Sequence, residues 1–400
     1  MVYEEVYNKN YDGACEQLEL DKDYIYTNRD EVLYSLDSGL LAHYSGNYEE
    51  SNKKLSNAEK LMEVFYAKSI SQGISSFFNN DNSQDYAGEE YEDIYSNVFM
   101  ALNYIHLGRL EDAFVEIRRF DNKQKSLSIK YAEHIAYAKA NVENLDVKVQ
   151  FNNSAFARYL SLLLYKSINK MDSAEVDRKK IEEAFKTQPT LYPFEVPLAV
   201  TEEFSAPKDL ARLNFVSFVG LAPVKYEECV ESYSTDIVFK ISLPEMEKRG
   251  TKVDSISVTI YGEDNNNYVE FLEKIESIEN IAYDTFAEKQ ALIYSKSIIR
   301  AMAKSIISTS LDIMADKDDD MALLSFASKI WVAASEVADL RTSQFFPAEV
   351  FIGGVSLPEG NYGIQVRYLN SSGHVISEEI IKDVAVKKNK INLVESICVK

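Results

Sequence analysis

Histidine is the residue type of this chain that is best suited to acid–base or metal chemistry, and the chain has four of them. They are His43, His106, His134 and His374, and no two of them stand at the spacing of a metal-binding pair. His43 and His106 occupy equivalent positions in two similar segments. This pair therefore predicts either ordinary packing histidines or one site that both segments share.

An acidic run at Asp316, Asp318 and Asp320 has the spacing with which a calcium-binding loop begins. Such a loop needs Gly at its sixth position and Glu at its twelfth, where this chain has Met321 and Ala327. A solvated turn is the better interpretation. The sequence also lacks a Walker loop and the GxGxxG, GxSxG and HExxH motifs. We therefore expect no metal site, no cofactor and no enzymatic reaction.

Two further groups of charged residues have both a structural and a functional interpretation. Asp339 and Arg341 flank Leu340 at the predicted end of a helix, where they would bond unpaired backbone groups or each other. Arg118 and Arg119 end a predicted hairpin, where they would either complement an acidic face or bind an anion. We interpret Asp339 and Arg341 as a structural corner and keep Arg118 and Arg119 as candidate binding residues.

The chain is strongly acidic, with a formal net charge of −21 over 400 residues. Such a charge repels phosphate backbones and anionic lipid heads, so nucleic acid is not an expected partner. Residues 1–50 hold 12 acidic and 3 basic side chains, which predicts a solvated acidic face or, alternatively, an acidic docking surface. Cys15, Cys229 and Cys398 are too few and too scattered for a disulfide framework.

The positions of proline divide the chain into two halves. None of the eight prolines precedes Pro189. Four of them cluster in one short stretch: Pro189, Pro193, Pro197 and Pro207. Because proline breaks helices, this distribution predicts a helical domain over 1–188, a Pro-rich linker over 189–207 and a different domain over 208–400.

The helical half carries an internal repeat. A first copy contains, in order, Gly39, Gly46, Tyr48, Leu55 and Ala58. A second copy contains Ala101, Tyr104, Gly108, Leu110, Ala113 and Ile117, and a looser third lies within 158–189. This pattern predicts tetratricopeptide-like helical hairpins. Half a repeat at 9–18 lacks its first helix, so we expect the natural chain to start upstream of Met1 with a removed signal segment.

The hairpins should form a concave groove that is lined mainly by apolar side chains. Leu36, Leu40, Val98 and Leu102 are among them. Because an exposed apolar groove is unfavourable, we expect an insertion, the second half or a partner to cover it. The groove lacks the Asn and Lys residues with which chaperone-type repeats hold a terminal carboxylate, so we exclude that kind of binder.

An insertion at about 66–92 separates the two good copies, because Gly46 and Gly108 lie 62 residues apart rather than the roughly 34 of adjacent repeats. We expect Phe77 or Phe78 of this insertion to fold back and fill part of the groove. The polar part of the insertion would then lie at the rim, where a ligand or partner could meet it. The candidate binding residues there are Asn80, Asp81, Asn82, Tyr86, Glu90 and Tyr91.

After Pro207 the apolar pattern changes from helical period to strand alternation, as at Ile237 and Phe239. Helical periodicity then returns and predicts a long helical hairpin over 284–341. Strand alternation resumes at about 350. We therefore predict an α+β fold, in which a tetratricopeptide-like domain precedes an antiparallel β-sandwich-like domain with the helical hairpin inserted.

Several motifs, taken in order, are similar to those of a known family. In the first half they are Gly46-x-Tyr48-Glu49-x-Ser51, Asn80-Asp81-Asn82 with Tyr86-x-Gly88, Ala101-Leu102-Asn103-Tyr104 with Leu107-Gly108, and Val115-Glu116-x-Arg118-Arg119. In the second half they are Gly220-Leu221-Ala222-Pro223-x-Lys225, Ala338-Asp339-Leu340-Arg341 and Leu357-Pro358-x-Gly360. The chain resembles an uncharacterised family of bacterial envelope proteins, typically lipoproteins, whose N-terminal half is tetratricopeptide-like. Members tend to be encoded near lipoproteins that activate penicillin-binding proteins, so the resemblance implies work at the cell wall or surface.

Together these observations predict a non-enzymatic protein–protein interaction scaffold of the bacterial cell envelope, linked to cell-wall or surface assembly. Its partners would be envelope proteins, and a lipid-modified segment upstream of this chain would tether it to a membrane. We expect a periplasmic or outer-membrane-anchored location, with the cytoplasm as the alternative. The alternative function is a glycan- or peptidoglycan-binding protein, with or without enzymatic activity, that uses the insertion at 80–91. The 26 tyrosines of the chain support that alternative.

Overall fold

The structure, a computed structural model, describes residues 1–72, 84–130, 150–207, 209–233, 238–262, 267–287, 289–290, 293 and 338–400. The described part of the first half is helical. Its helices are α1 (Val2–Tyr7), α2 (Tyr11–Leu20), α3 (Lys22–Ile25), α4 (Glu31–Tyr44), α5 (Tyr48–Gln72), α6 (Glu90–His106), α7 (Leu110–Lys130), α8 (Ala155–Ser167), α9 (Met171–Thr187) and α10 (Leu198–Ser205). The first strand among the described residues begins at Ala211.

Three pairs of consecutive helices, α4–α5, α6–α7 and α8–α9, pack as helical hairpins. The turn of each hairpin contains a residue with positive φ, namely Gly46 at 80°, Gly108 at 70° and Asn169 at 59°. Glycine adopts this conformation without steric cost, and asparagine tolerates it better than most residues. In the first hairpin Gly39 allows a close helix contact, because a Cβ atom there would lie 2.8 Å from the side chain of Leu55.

The strands are β1 (Ala211–Val219), β2 (Val224–Tyr233), β3 (Val238–Glu247), β4 (Ser255–Tyr261), β5 (Asn267–Ser277), β6 (Glu349–Leu357), β7 (Gly360–Leu369), β8 (Val375–Val386) and β9 (Asn392–Cys398). Seven of them form one sheet in the order β8-β7-β4-β5-β6-β1-β9, and β2 pairs with β3 in a separate ribbon. Neighbours in the sheet are antiparallel except for β1 and β9, which are parallel. The edge strands β8 and β9 contact each other, so the sheet is nearly closed.

This mixture of helices and a largely antiparallel sheet confirms the predicted α+β class. The sequence predicts a sandwich-like arrangement of two sheets, whereas the described strands form one nearly closed sheet and a two-stranded ribbon. Strand alternation indicates which face of a strand is buried, but it does not indicate which strands become neighbours. The apolar pattern alone therefore predicts the strands better than their arrangement.

Two apolar cores hold this arrangement together. One lies inside the curved sheet and includes Leu213, Ile256, Val258, Ile364, Val366 and Tyr368. The other runs from the helices to the outer side of the sheet, where Phe218, Ile275 and Ile352 belong to the same buried cluster as Leu36 and Leu160. The helical half and the outer side of the sheet therefore share a core.

The Pro-rich segment 189–207 takes part in this shared core. It contains helix α10, and Leu191, Tyr192 and Val200 are buried. Glu203 of α10 is also buried and accepts hydrogen bonds from Arg212 Nε at 2.9 Å and from Asn214 Nδ2 at 2.6 Å. The segment predicted as a linker is thus packed against strand β1, and its prolines mark the end of the hairpins.

The predicted helical hairpin 284–341 is described only at its ends. Residues 278–287 are helical, so this helix begins before the predicted start at Asp284. Residues 294–337 lie outside the described residues. The chain continues from Ala338 to Ala348 as a segment without strand partners before β6 begins.

Candidate functional site

The face of the helical hairpins that was predicted to form a groove is covered by the second half of the chain. All four of the predicted lining residues named above are buried: Leu36, Leu40, Val98 and Leu102. Phe99 of α6 packs between the halves, with its ring centroid 5.2 Å from that of Phe218 in β1 and 5.9 Å from that of Phe346. The predicted contact of Phe77 or Phe78 with this face lies outside the described residues.

Asp37 of α4 holds the extended segment that crosses this face. Its Oδ1 atom accepts hydrogen bonds from Ser343 Oγ at 2.6 Å and from the Gln344 backbone N–H at 2.8 Å. Its Oδ2 atom accepts from Tyr26 Oη at 2.8 Å. Burial raises the pKa of Asp37 to about 7, although these donors act in the opposite direction.

Glu92 of α6 holds the same segment from the next hairpin. Its Oε1 atom accepts hydrogen bonds from the Ser343 backbone N–H at 2.6 Å and from Thr342 Oγ1 at 3.1 Å. Its Oε2 atom accepts from Tyr86 Oη at 2.7 Å and from the Glu89 backbone N–H at 2.8 Å. Burial, reinforced by the charge of Glu89, raises the pKa of Glu92. One carboxylate from each hairpin therefore fixes residues 342–344.

Glu276 of β5 projects from the sheet into the helical half. Its carboxylate accepts hydrogen bonds from Ser154 Oγ at 2.5 Å, from the Phe156 backbone N–H at 3.0 Å and from Tyr192 Oη at 2.9 Å. Tyr95 Oη donates a further hydrogen bond to it. Burial raises the pKa of Glu276, and these four donors oppose that shift.

Glu395 of β9 joins the two histidines that stand at equivalent positions in the hairpins. His43 Nε2 lies 2.9 Å from Glu395 Oε2, and His106 Nε2 lies 2.8 Å from Glu395 Oε1. Burial would raise the pKa of Glu395, but the charges of His106 and His43 outweigh it and hold that pKa well below its usual range. Burial would lower the pKa of His106, but Glu395 outweighs it and raises that pKa.

Asn103 fixes the orientation of His43 in this cluster. Its Nδ2 atom donates to Ser51 Oγ and to Asn52 Oδ1, both at 2.9 Å, so its Oδ1 atom faces His43 Nδ1 at 2.6 Å. A hydrogen bond to Asn103 therefore requires a proton on Nδ1 of His43. A second hydrogen bond, from Nε2 to Glu395, forms only in the doubly protonated ring. The partly buried Glu395 carboxylate links both hairpins to the last strand.

Arg341 stands at the corner where segment 338–348 leaves the edge of the helices. Its guanidinium forms two bonds with Asp339, from Nε at 2.8 Å and from Nη2 at 2.7 Å. Its Nη1 atom donates to Asp30 Oδ1 and to the Gln84 backbone carbonyl, both at 3.1 Å. The predicted corner residues thus bond to each other, and Arg341 also ties the corner to the loop before α4 and to residue 84.

The candidate binding residues of the insertion do not form one open surface in the described part of the chain. Tyr86, Glu90 and Tyr91 are buried, and the Tyr91 hydroxyl lies 3.1 Å from Thr342 Oγ1. Asn80, Asp81 and Asn82 lie outside the described residues. Tyrosine suits a binding surface and an interior with polar partners equally well, so its residue type did not distinguish these roles.

The two adjacent arginines on α7 have different surroundings. Arg118 is exposed. Arg119 is half-exposed and pairs with Glu59 Oε2 at 2.9 Å and with Glu116 Oε1 at 3.6 Å. The structure therefore places Arg119 in an ion-pair network between α5 and α7, as a complement to acidic side chains, and leaves Arg118 at the surface.

The buried carboxylates that define this region belong to no recognisable motif in the sequence. Asp37 and Glu92 each interrupt a stretch of buried residues on a helix, and Glu276 stands between buried Ile275 and Ser277. The sequence around them gives no clear signal of burial, because other polar residues stand beside them, such as Asp93 next to Glu92 and Ser277 next to Glu276. The donors that matter most are far away in the chain: Ser343 for Asp37 and Glu92, and Ser154 for Glu276, each more than 100 residues distant.

Comparisons with known proteins add no relative, because the chain matches no family model, no curated protein and no solved structure. Within the described residues, no helix has the length and apolar content that crossing a membrane requires. The described ranges also contain no group of three or more His, Cys, Asp or Glu side chains that is arranged to hold a metal ion.

Proposed function

We propose that this chain is a non-enzymatic scaffold of the bacterial cell envelope that binds a protein partner and uses tetratricopeptide-like hairpins as its platform. One observation carries the proposal. Three buried carboxylates, Asp37, Glu92 and Glu276, and the partly buried Glu395 all accept hydrogen bonds across the contact between the helical half and the second half. Carboxylates bonded in this way fix two halves relative to each other and are closed to a substrate.

The concave face is not free for a partner, because Phe218, Phe346 and Glu395 of the second half already occupy it. A partner would therefore bind to an outer surface of the hairpins. The acidic start of the chain offers one, where α2, α4 and α5 enclose a groove of about 490 Å³. Its charged lining residues are Asp12, Glu16, Glu19, Glu50 and Lys54. This excess of carboxylates favours a partner with a basic face.

The test uses the full chain, because residues 1–188 alone would expose the apolar face that the sheet covers. A photo-crosslinking amino acid replaces Glu16 in the groove, and a second version carries it at exposed Glu183 on α9. Both are irradiated in a bacterial envelope extract, and the captured proteins are identified by mass spectrometry. The proposal predicts a protein that is captured from position 16 and not from position 183.

Charge reversal then separates specific binding from accidental contact. Asp12→Lys should abolish capture from position 16, whereas Glu183→Lys, the matched control, should leave it unchanged. Circular dichroism checks that both variants remain folded. Capture that is insensitive to Asp12→Lys, or equal capture from both positions, would remove the basis of the proposal.

The alternative of a glycan-binding protein relied on the tyrosines of the insertion. In the described part of that insertion, Tyr86 and Tyr91 are buried and bonded to Glu92 and Thr342. Buried rings cannot stack on a sugar, so these residues give the alternative no support. The scaffold is therefore the function that we propose.

A further inference from the structure

Two buried carboxylates, one from each of the hairpins α4–α5 and α6–α7, meet at Ser343. Asp37 Oδ1 accepts from Ser343 Oγ and Glu92 Oε1 accepts from the Ser343 backbone N–H, both at 2.6 Å. Asp37 is 1% exposed and Glu92 is fully buried. No described residue forms an ion pair with either carboxylate. Because neighbouring carboxylates without a counterion repel each other when both are ionised, this pair holds one proton more tightly than a solvated acid does.

Other titratable groups face this pair from the elements around it. They are four tyrosines, one acid and one cation: Tyr3, Tyr26, Tyr86, Tyr91, Glu89 and Arg249. Burial raises the pKa of all four tyrosines, so they remain neutral at pH 7. Arg249 donates to the backbone carbonyls of Ala222 and Gln344, and Glu89 bonds to Lys225 and Lys289. The cations nearby are therefore bonded to other groups than the pair.

Asp37 is the member of the pair that can hold the proton. Its Oδ2 atom lies 2.8 Å from Tyr26 Oη, and a tyrosine hydroxyl can accept as well as donate. A protonated Oδ2 atom donates to Tyr26, while Oδ1 continues to accept from Ser343 Oγ and the Gln344 N–H. Glu92 has less room for a proton, because each of its oxygens accepts from a backbone N–H. In agreement, burial raises the pKa of Asp37 to about 7.

We infer that residues 342–344 form a pH-sensitive latch, which is closed while Asp37 and Glu92 share one proton and opens locally when that proton leaves. Ionisation of Asp37 places a second negative charge beside Glu92 in the interior. Separation of the segment from the helices admits water, which solvates both charges. The latch makes the contact between the two halves depend on pH, and it does not rest on the proposed scaffold function.

Contacts on either side of the latch confine the opening to these residues. On one side, Arg341 bonds to Asp30 and Asp339. On the other side, Phe346 is fully buried and packs against Phe99. Residues 342–344 have no strand partner, so they can separate from the helices without breaking the sheet.

The pKa shift of Asp37 determines the direction and the pH range of the opening. In the open segment Asp37 titrates near its ordinary pKa of 3.8, and in the closed segment near a pKa of about 7. Between these values the closed form holds one more proton, so the opening equilibrium rises about tenfold per pH unit. Above pH 7 both forms are ionised and the rise ends. We therefore expect opening to increase roughly 80-fold from pH 5 to pH 8, mostly below pH 7.

Hydrogen–deuterium exchange of the full chain at pH 5, 6, 7 and 8 measures this opening, after correction for the intrinsic pH dependence of exchange. Protection of the Ser343 and Gln344 amides should fall roughly 80-fold, while amides of α8 should not follow. The amide of Asp37→Asn donates to Tyr26 as the protonated acid does. This variant should therefore be protected more than tenfold better than the natural protein at pH 8. Asp172→Asn, an exposed control on α9, should behave as the natural protein does.

The proton itself can be observed in the natural protein by ¹³C labelling of the aspartate carboxyl groups. One aspartate resonance should titrate near pH 7 and should be absent from Asp37→Asn. This titration and the exchange profile of the natural protein decide the question even if Asp37→Asn does not fold.

Three results would overturn the inference. The first is that no aspartate carboxyl titrates above pH 6, which would leave Asp37 ionised in the closed segment. The second is protection in Asp37→Asn that falls with pH as steeply as in the natural protein, which would assign the effect to another group. The third is a parallel loss of protection in α8, which would show unfolding of the whole molecule rather than a local opening.

Discussion

Replacing Glu395 by glutamine tests the most specific electrostatic feature of this fold. The substitution keeps the size of the side chain and removes the charge that His43 and His106 share. Near pH 5.5 the protonated His106 ring donates to the ionised carboxylate, and removing one partner of a buried ion pair costs about 3–5 kcal/mol. Because glutamine still offers one acceptor, we expect the free energy of unfolding to fall by about 3 kcal/mol at this pH.

The loss should depend on pH in a direction that the two pKa shifts determine. The lowered pKa of Glu395 stabilises the fold above the ordinary value of 4.5, and this contribution is lost as the pH falls through the folded pKa. The raised pKa of His106 stabilises the fold below the ordinary value of 6.5, and this contribution is lost as the pH rises through the folded pKa. The cluster therefore contributes most between these two values.

Above that window the variant should approach the natural protein in stability. In the neutral form of the ring, the hydrogen bond that His43 Nδ1 donates to Asn103 Oδ1 leaves Nε2 without a proton, and its lone pair faces the carboxylate. The glutamine amide can donate to that nitrogen and accept from His106, so both rings remain bonded. We expect the difference in unfolding free energy to shrink to about 1 kcal/mol or less at pH 8.5.

Urea denaturation of both proteins at pH 5.5, 7.0 and 8.5 measures these differences. The titration of Asp37, whose pKa is raised to about 7, affects both proteins equally and cancels from the comparison. Glu378→Gln is a suitable control, because Glu378 pairs with Arg367 on the exposed side of the sheet. A loss for Glu395→Gln that is the same at all three pH values would refute the reasoning, since it would show that histidine protonation contributes nothing.

Three further substitutions test packing and the corner, each by urea denaturation at pH 7. Arg341→Ala removes the donor that bonds Asp30 Oδ1 and Asp339, so the free energy of unfolding should fall by about 1–3 kcal/mol. Arg341→Lys should have an intermediate effect. Phe346→Ala empties a fully buried position between the halves and should cost about 3–5 kcal/mol. Gly39→Val forces a side chain against Leu55 and should cost about 1–3 kcal/mol. An unfolding free energy that is unchanged in any of these variants would contradict the contact concerned.

The local elements of this fold could be predicted from the sequence because their signals are local. Gly46 and Gly108 end helices through a backbone conformation that glycine adopts freely, and helical periodicity is visible on either side of them. The absence of proline before Pro189 also predicts helices, because proline breaks a helix at its own position. The strands after Pro207 follow from alternation. Each of these inferences needs only neighbouring residues.

The strand order could not be predicted in this way. Only two residues separate the end of β6 at Leu357 from the start of β7 at Gly360, a length that is typical of a hairpin. Yet β6 pairs with β1 and β5, and β7 pairs with β4 and β8. In a nearly closed sheet two strands can face each other across the interior, so a short connection can join strands that are not neighbours. Long-range closure, rather than turn chemistry, decides the pairing here.

The roles of the site residues were equally hidden, because they depend on groups distant in the chain. Nothing near Glu395 indicates that two histidines about 290 and 350 residues away will meet it. The equivalence of His43 and His106 left a shared site open beside ordinary packing, and in the structure both rings bond to one carboxylate. For Tyr86 and Tyr91 the prediction was wrong. Their polar neighbours in the sequence favoured a position at the rim of the groove, whereas both rings are buried in the structure.

The extended segment at 342–344 explains why this interface uses acids rather than more apolar residues. Replacing buried charges by apolar groups of similar size is often neutral or stabilising. Here, however, the segment has no strand partner, so the backbone N–H groups of Ser343 and Gln344 need acceptors from the helices. Glu92 and Asp37 supply them, one from each hairpin. An apolar residue at either position would leave a buried N–H unsatisfied, so these two carboxylates determine where the segment crosses the hairpins and thereby how the sheet is placed on them.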